Sequence, residues 1–157
     1  MYGLMNCRLS TICGARDLGK SAVAVAVSHY LAVRRHFPNG IVYVKVHSKT
    51  TVDQVQSVMV RALWTSIPEH TLHTSAASTP SSTHPAPGAF ATIRDALADP
   101  QAYLVSCLRS RHMLLVLDHC DGVVSGDPGF RYFLGQLLDD VRRDGCHASS
   151  PSSSFIF

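Results

Sequence analysis

One octapeptide constrains this chain more than any other feature: Gly14-Ala15-Arg16-Asp17-Leu18-Gly19-Lys20-Ser21, which fits GxxxxGK followed by Ser or Thr. The spacing has a mechanical reason. The glycines let a loop curl so that consecutive backbone N–H groups converge on phosphate oxygens at the head of a helix. Lys20 then reaches the β- and γ-phosphates, and the Ser21 hydroxyl becomes a ligand for magnesium. Such a loop works only between a strand and a helix, and the flanks agree with that. Residues 8–13 (RLSTIC) read as a short strand running into the turn at Gly14. Residues 20–37 (KSAVAVAVSHYLAVRRHF) alternate like a strand, but their length favours a buried helix with Arg34, Arg35 and His36 near its C-terminus. Pro38, Asn39 and Gly40 end it.

The rest of the chain supplies the elements that such a loop requires. Residues 41–46 (IVYVKV) predict a second strand. Val52, Val55, Val58, Met59, Ala62 and Leu63 recur at helical spacing through residues 51–65, with Asp53 in the first turn. Residues 67–88 change character to Ser, Thr, Ala and Pro, too poor in apolar surface to offset the entropy of ordering. We read them as a disordered insertion within a single domain, because the motifs on either side need each other. Residues 89–98 and 100–110 predict two short helices, with Pro100 as a first helical residue. Residues 113–117 (MLLVL) form a continuous apolar run, the mark of a strand buried on both faces in a parallel sheet. Residues 130–143 predict a last amphipathic helix, closed by Gly145, and residues 148–157 a serine-rich loop running into Phe155-Ile156-Phe157.

Asp118 ends the MLLVL run. A magnesium site at a phosphate-binding loop needs a carboxylate at the tip of a neighbouring strand to order the metal's water shell, and Asp118 is the candidate. Few other chemistries have support. The nine histidines show no HxxxH or HExxH spacing, and the five cysteines contain no CxxC pair, which suits buried free thiols in a reducing compartment. The basic residues form only short pairs within a net charge of +3, so nucleic acid is not an expected partner. No run approaches a membrane span, and residues 1–8 do not read as a secretory signal, so the expected location is cytoplasmic with no membrane contact.

In sequence, the chain resembles the signal-transducing P-loop ATPases (STAND type) that include the NB-ARC domains of plant immune receptors and apoptotic scaffolds. STICGARDLGKSAVAVAVSHYL is similar to their P-loop and first helix, and GIVYVKVHSKT to their second strand. LLVLDHCDGV resembles their Walker B segment, and FLGQLLDDVRRDGC the helix after it. The resemblance implies a three-layer P-loop NTPase fold with a parallel sheet ordered 5-1-4-3-2. Residues 154–157 then open strand four, and strand five and the helical and winged-helix domains are missing. A sheet so incomplete is expected to be marginally stable or dependent on partner chains.

The resemblance also implies ATP or ADP with Mg2+ as cofactors, partners in a signalling assembly, and a nucleotide-dependent switch. Two positions depart from that family. Asp17 stands where glycine is usual, and brings a carboxylate close to phosphate charge. His119 stands where an acid is usual, leaving Asp121 as the candidate for positioning an attacking water. Hydrolysis is therefore expected to be slow or absent. The alternative is a degenerate or truncated module that kept the fold as an interaction surface and lost nucleotide binding. A P-loop small-molecule kinase fits less well, because residues 67–88, the only lid available by position, contain no Arg or Lys. No NKxD-type guanine motif is present.

Overall fold

The computed structural model describes residues 9–15, 17–47, 49, 51–67, 90–143 and 154–156. At its centre lies β3 (Leu114–Asp118), whose first four residues are buried. A strand covered on both sides needs apolar side chains at every position, and the run of Leu and Val provides them. On one flank β2 (Ile41–Lys45) pairs with it in parallel, from Ile41 opposite Leu114 to Lys45 opposite Asp118. On the other flank lies β4 (Ser154–Ile156), also parallel. Outermost among the described strands is β1 (Leu9–Ser10), which pairs with β4. The order is thus β1-β4-β3-β2, an all-parallel sheet with the last strand in sequence between the first and the third. Residues 154–156 occupy the slot expected of a fourth strand. β1 is shorter than the expected strand over residues 8–13, of which residues 11–13 continue as loop.

Alternation of side chains across the sheet builds two cores. Leu114 and Val116 face α1 (Lys20–Val33) and pack with Ala24, Leu31 and Phe37. Leu115, Leu117, Val42 and Val44 face the opposite layer. There α2 (Val52–Ser66) contributes Val55, Met59, Val60 and Leu63, and α4 (Pro100–Ser110) buries every residue from Ala102 to Leu108. The short α3 (Ile93–Ala98) adds Ala96, and α6 (Gly129–Arg143) adds Phe130, Phe133, Leu137 and Val141. Each large apolar side chain buried in this way contributes roughly 1.5–3 kcal/mol, so the layer opposite α1 dominates the stability.

That asymmetry corrects one expectation. The helix after the loop is not buried all round: only Ala24, Ser28 and Leu31 are covered, while Val23, Val25 and Val33 are 49, 53 and 70% exposed. Among the described residues α1 is the only helix on its face of the sheet, so nothing packs on its outer side. It also ends earlier than expected, with Arg34 as its C-cap and no basic residue in its last turn. The turn at Pro38-Asn39-Gly40 does end the segment. There Asn39 N donates to His112 O, and Asn39 Oδ1 accepts from His112 N at 2.8 Å, which ties the start of β2 to the approach to β3.

The opposite layer is organised by aspartates. Thr92 and Asp95 form a reciprocal capping box at the head of α3. Asp99 ends α3 and caps α4 through Ala102 N, with Pro100 in the first turn as expected. A further short helix, α5 (Asp121–Gly126), had no expectation behind it. Asp127 follows it and accepts from Val52 N at 2.9 Å and Gly129 N at 2.8 Å, so that one carboxylate serves the heads of α2 and α6.

Three expectations meet the limits of the described residues. Of the segment 67–88, Ile67 is buried against the core at the end of α2 rather than part of an insertion, and residues 68–88 lie outside the described residues. Gly145 and residues 148–153 lie outside them too. Among the cysteines described, only Cys107 is buried, and it lies in a helix; Cys13 is exposed and Cys120 half-buried, which corrects the expectation of buried thiols.

Candidate functional site

The strand order brings the carboxyl ends of β1 and β3 to the same end of the sheet, with the head of α1 between them. There the described residues enclose a cleft of about 750 Å³. Gly14, Asp17, Gly19, Lys20 and Ser21 line one side, and Asp118 and Asp121 the other. Ala15 and Leu18 are exposed loop residues outside the lining, and Arg16 lies outside the described residues.

Local backbone chemistry explains the loop. Gly19 has φ 76°, a left-handed conformation in which a Cβ would be strained. Asp17 takes the same region at φ 63°, which a short polar side chain tolerates better than most. Gly19 offers no side-chain cap and the first turn of α1 holds no acid, so the amides at the helix head face the cleft without an internal anion. Fourteen residues of aligned peptide dipoles lie behind them. An anion is favoured at that point. Lys20 folds back instead of reaching outward: its Nζ donates to Gly14 O and Ala15 O, both at 2.9 Å, and so holds the loop closed on itself.

Opposite the loop, Ser21 and Asp118 meet across 97 positions of sequence, with Ser21 Oγ donating to Asp118 Oδ1 at 2.8 Å. Asp118 receives more than that. Tyr43 Oη donates to Oδ2 at 2.7 Å, the backbone N of His119 donates to Oδ1 at 2.9 Å, and His119 Nδ1 lies 3.0 Å from Oδ2. Partial burial alone would raise its pKa, but the hydrogen bonds from Tyr43 and Ser21, helped by His119, outweigh that and hold it below the ordinary carboxyl value. The Tyr43 hydroxyl is pushed upward by burial and by the carboxylate it bonds. Cys120, beside them, is pushed up to about 12 by burial and by Asp118 and Asp121, so its thiol stays protonated.

Asp121, the residue expected to position water, is the first residue of α5, exposed to solvent in the same cleft. His119, which also lines the cleft, has φ 61° and sets its Nδ1 against Asp118 Oδ2. Its ring packs on that of His47, centroids 4.3 Å apart. Among the described residues no group of three or more His, Cys, Asp or Glu could enclose a metal. Asp118 and Ser21 offer instead one carboxylate and one hydroxyl, both hard oxygen donors. Such a pair fits magnesium, which keeps several waters and takes its remaining ligands from a bound phosphate.

Sequence reasoning missed Tyr43, His47 and the bond of His119 to Asp118. A signal for Tyr43 did exist. In IVYVK the valines alternate with Ile41, Tyr43 and Lys45, which places Tyr43 on the α1 face with the side chain of Asp118. The contact of the two histidine rings depends on loop backbone at φ 29° and 61°, which no residue pattern foretells.

Comparison with protein-family models, with curated proteins and with solved structures finds no match, so the function is argued from geometry.

Proposed function

We propose that this chain is a P-loop nucleotide-binding protein of three-layer α/β architecture that takes ATP or ADP with magnesium and serves as a nucleotide-dependent switch. The observation that carries the reading is the Ser21–Asp118 contact beside an uncapped helix head. A loop lysine, a hydroxyl and a strand-tip carboxylate converge on one cleft from elements far apart in sequence. Phosphate oxygens at the helix head would draw Lys20 off the Gly14 and Ala15 carbonyls and onto the β- and γ-phosphates. Ser21 would ligate magnesium, and Asp118 would order the metal's waters. Hydrolysis in this reading is slow, because an imidazole bonded to Asp118 stands beside the metal site and only the exposed Asp121 remains to orient water.

A second reading has its own observation. Asp17 places a carboxylate in the mouth of the phosphate cradle, and Lys20 is already satisfied by its loop. Both favour a module that retains the fold as an interaction surface without nucleotide. Isothermal titration of magnesium-ATP into wild type and Lys20→Ala separates the two. The first reading expects micromolar binding that weakens at least about tenfold in the variant, the equivalent of one lost charge-assisted hydrogen bond. A folded wild type that binds nothing supports the second.

A further inference from the structure

Four bonds converge on Asp118, and one comes from an element that the loop-and-carboxylate site does not require. Tyr43 belongs to β2, the edge strand, and its hydroxyl donates to Asp118 Oδ2 at 2.7 Å. Ser21 takes Oδ1. The two donors therefore hold opposite oxygens of one carboxylate and fix the rotation of its plane. Without Tyr43, Oδ2 keeps only His119 Nδ1, from a residue 45% exposed on a left-handed backbone, a weaker restraint than a part-buried strand side chain.

We infer that Tyr43 is a positioning residue for metal-assisted nucleotide binding: its hydroxyl orients the Asp118 carboxylate so that Oδ1 is presented to Ser21 and to the waters of a magnesium ion. The inference rests on the nucleotide reading above and adds a residue that the sequence motif does not contain. Geometry favours a positioning role over a packing one. The ring already packs against the core under α1, and a phenylalanine there would pack equally well. What the hydroxyl adds is one directed bond to a carboxylate whose orientation the metal site depends on. Magnesium demands near-ideal octahedral geometry, so a carboxylate free to turn serves its water shell poorly.

The test is Tyr43→Phe, with Tyr132→Phe as a control, since Tyr132 is 69% exposed and bonds only Gln136 among the described contacts. ATP binding is titrated at increasing magnesium and again in EDTA, and thermal unfolding of the unliganded proteins checks folding. The expected result is a half-saturating magnesium concentration raised roughly three- to tenfold in Tyr43→Phe, less than the full loss of one hydrogen bond to a charged group because His119 Nδ1 still holds Oδ2. Metal-free ATP affinity stays at the wild-type value, and Tyr132→Phe leaves both unchanged. Tyr43→Phe with wild-type magnesium dependence overturns the inference and leaves the nucleotide reading standing. So does an equal loss with and without magnesium, which marks a structural role. A folded wild type that binds no ATP under either condition overturns the nucleotide reading and this inference with it.

Discussion

At the scale of single residues, the cleft sets the carboxylate of Asp17 beside Lys20 and the head of α1. Asp17 occupies a backbone region that glycine enters without strain, and its carboxylate shares the cleft with Lys20 and Ser21. Replacing it with glycine removes both the strain of a left-handed side chain and the repulsion toward phosphate. In the nucleotide-binding reading Asp17→Gly should therefore bind magnesium-ATP about fivefold more tightly, the repulsion between like charges at close range being on the order of 1 kcal/mol even in water. The gain should shrink as salt is raised, because exposed charges are screened. Titration at low and high ionic strength checks both, and an affinity unchanged or weakened would show that Asp17 is an ordinary turn residue. The octapeptide at residues 14–21 and Asp118 stood out because they follow a spacing rule or end an apolar run, and five of the eight loop residues line one cleft with Asp118. Asp121, in the same cleft, was suggested only by the resemblance. Tyr43 was legible only in outline, since alternation gives its face but not its bond. The turn of His119 onto Asp118 was not legible, because it follows from the backbone after β3.

At the scale of elements, the described helices and strands follow local pattern, except where tertiary context intervened. The valine-rich sequence of α1 reads as buried from the length of its apolar stretch, yet burial depends on what lies opposite, and its outer side faces solvent. The amphipathic helices α2 and α6 were readable because their apolar stripes fix which side turns inward. The short α5 has too few turns for a periodic signal. Asp127 is the joint among these pieces, with one oxygen on Val52 N and the other on Gly129 N. Asp127→Ala should lose both bonds and destabilise the protein by roughly 1–3 kcal/mol, the range for a charged hydrogen-bonding group removed from half-buried partners. Urea unfolding would show it as a lower midpoint with an unchanged slope. A cost below a few tenths would mean that water replaces the carboxylate at both amides.

At the scale of the molecule, the nucleotide-binding reading would put ligand and fold in one equilibrium. The cleft draws on the loop after β1, the head of α1, the tip of β3 and the start of α5, so unfolding any of these dissolves it. A nucleotide bound only to the native state stabilises by mass action, about 2.7 kcal/mol at a hundredfold excess over Kd. Magnesium-ATP should accordingly raise the thermal midpoint of the wild type by several degrees and that of Lys20→Ala by much less at the same concentration. A midpoint indifferent to nucleotide in both proteins would speak for the interaction-module reading.

The strand order carries a consequence for how the protein comes into being. Among the described residues β1 holds to the sheet only through β4, and β4 is the strand built from residues 154–156. During synthesis residues 9–10 emerge well before their strand partner, and β1 cannot join the sheet until residues 154–156 have left the ribosome. At a typical ~5–20 residues per second, the interval between the two lasts roughly seven to thirty seconds. Before it ends, β2, β3 and α1 can pack against one another through Leu114 and Val116, but β1 has no strand beside it, so the described sheet closes last at the slot of β4.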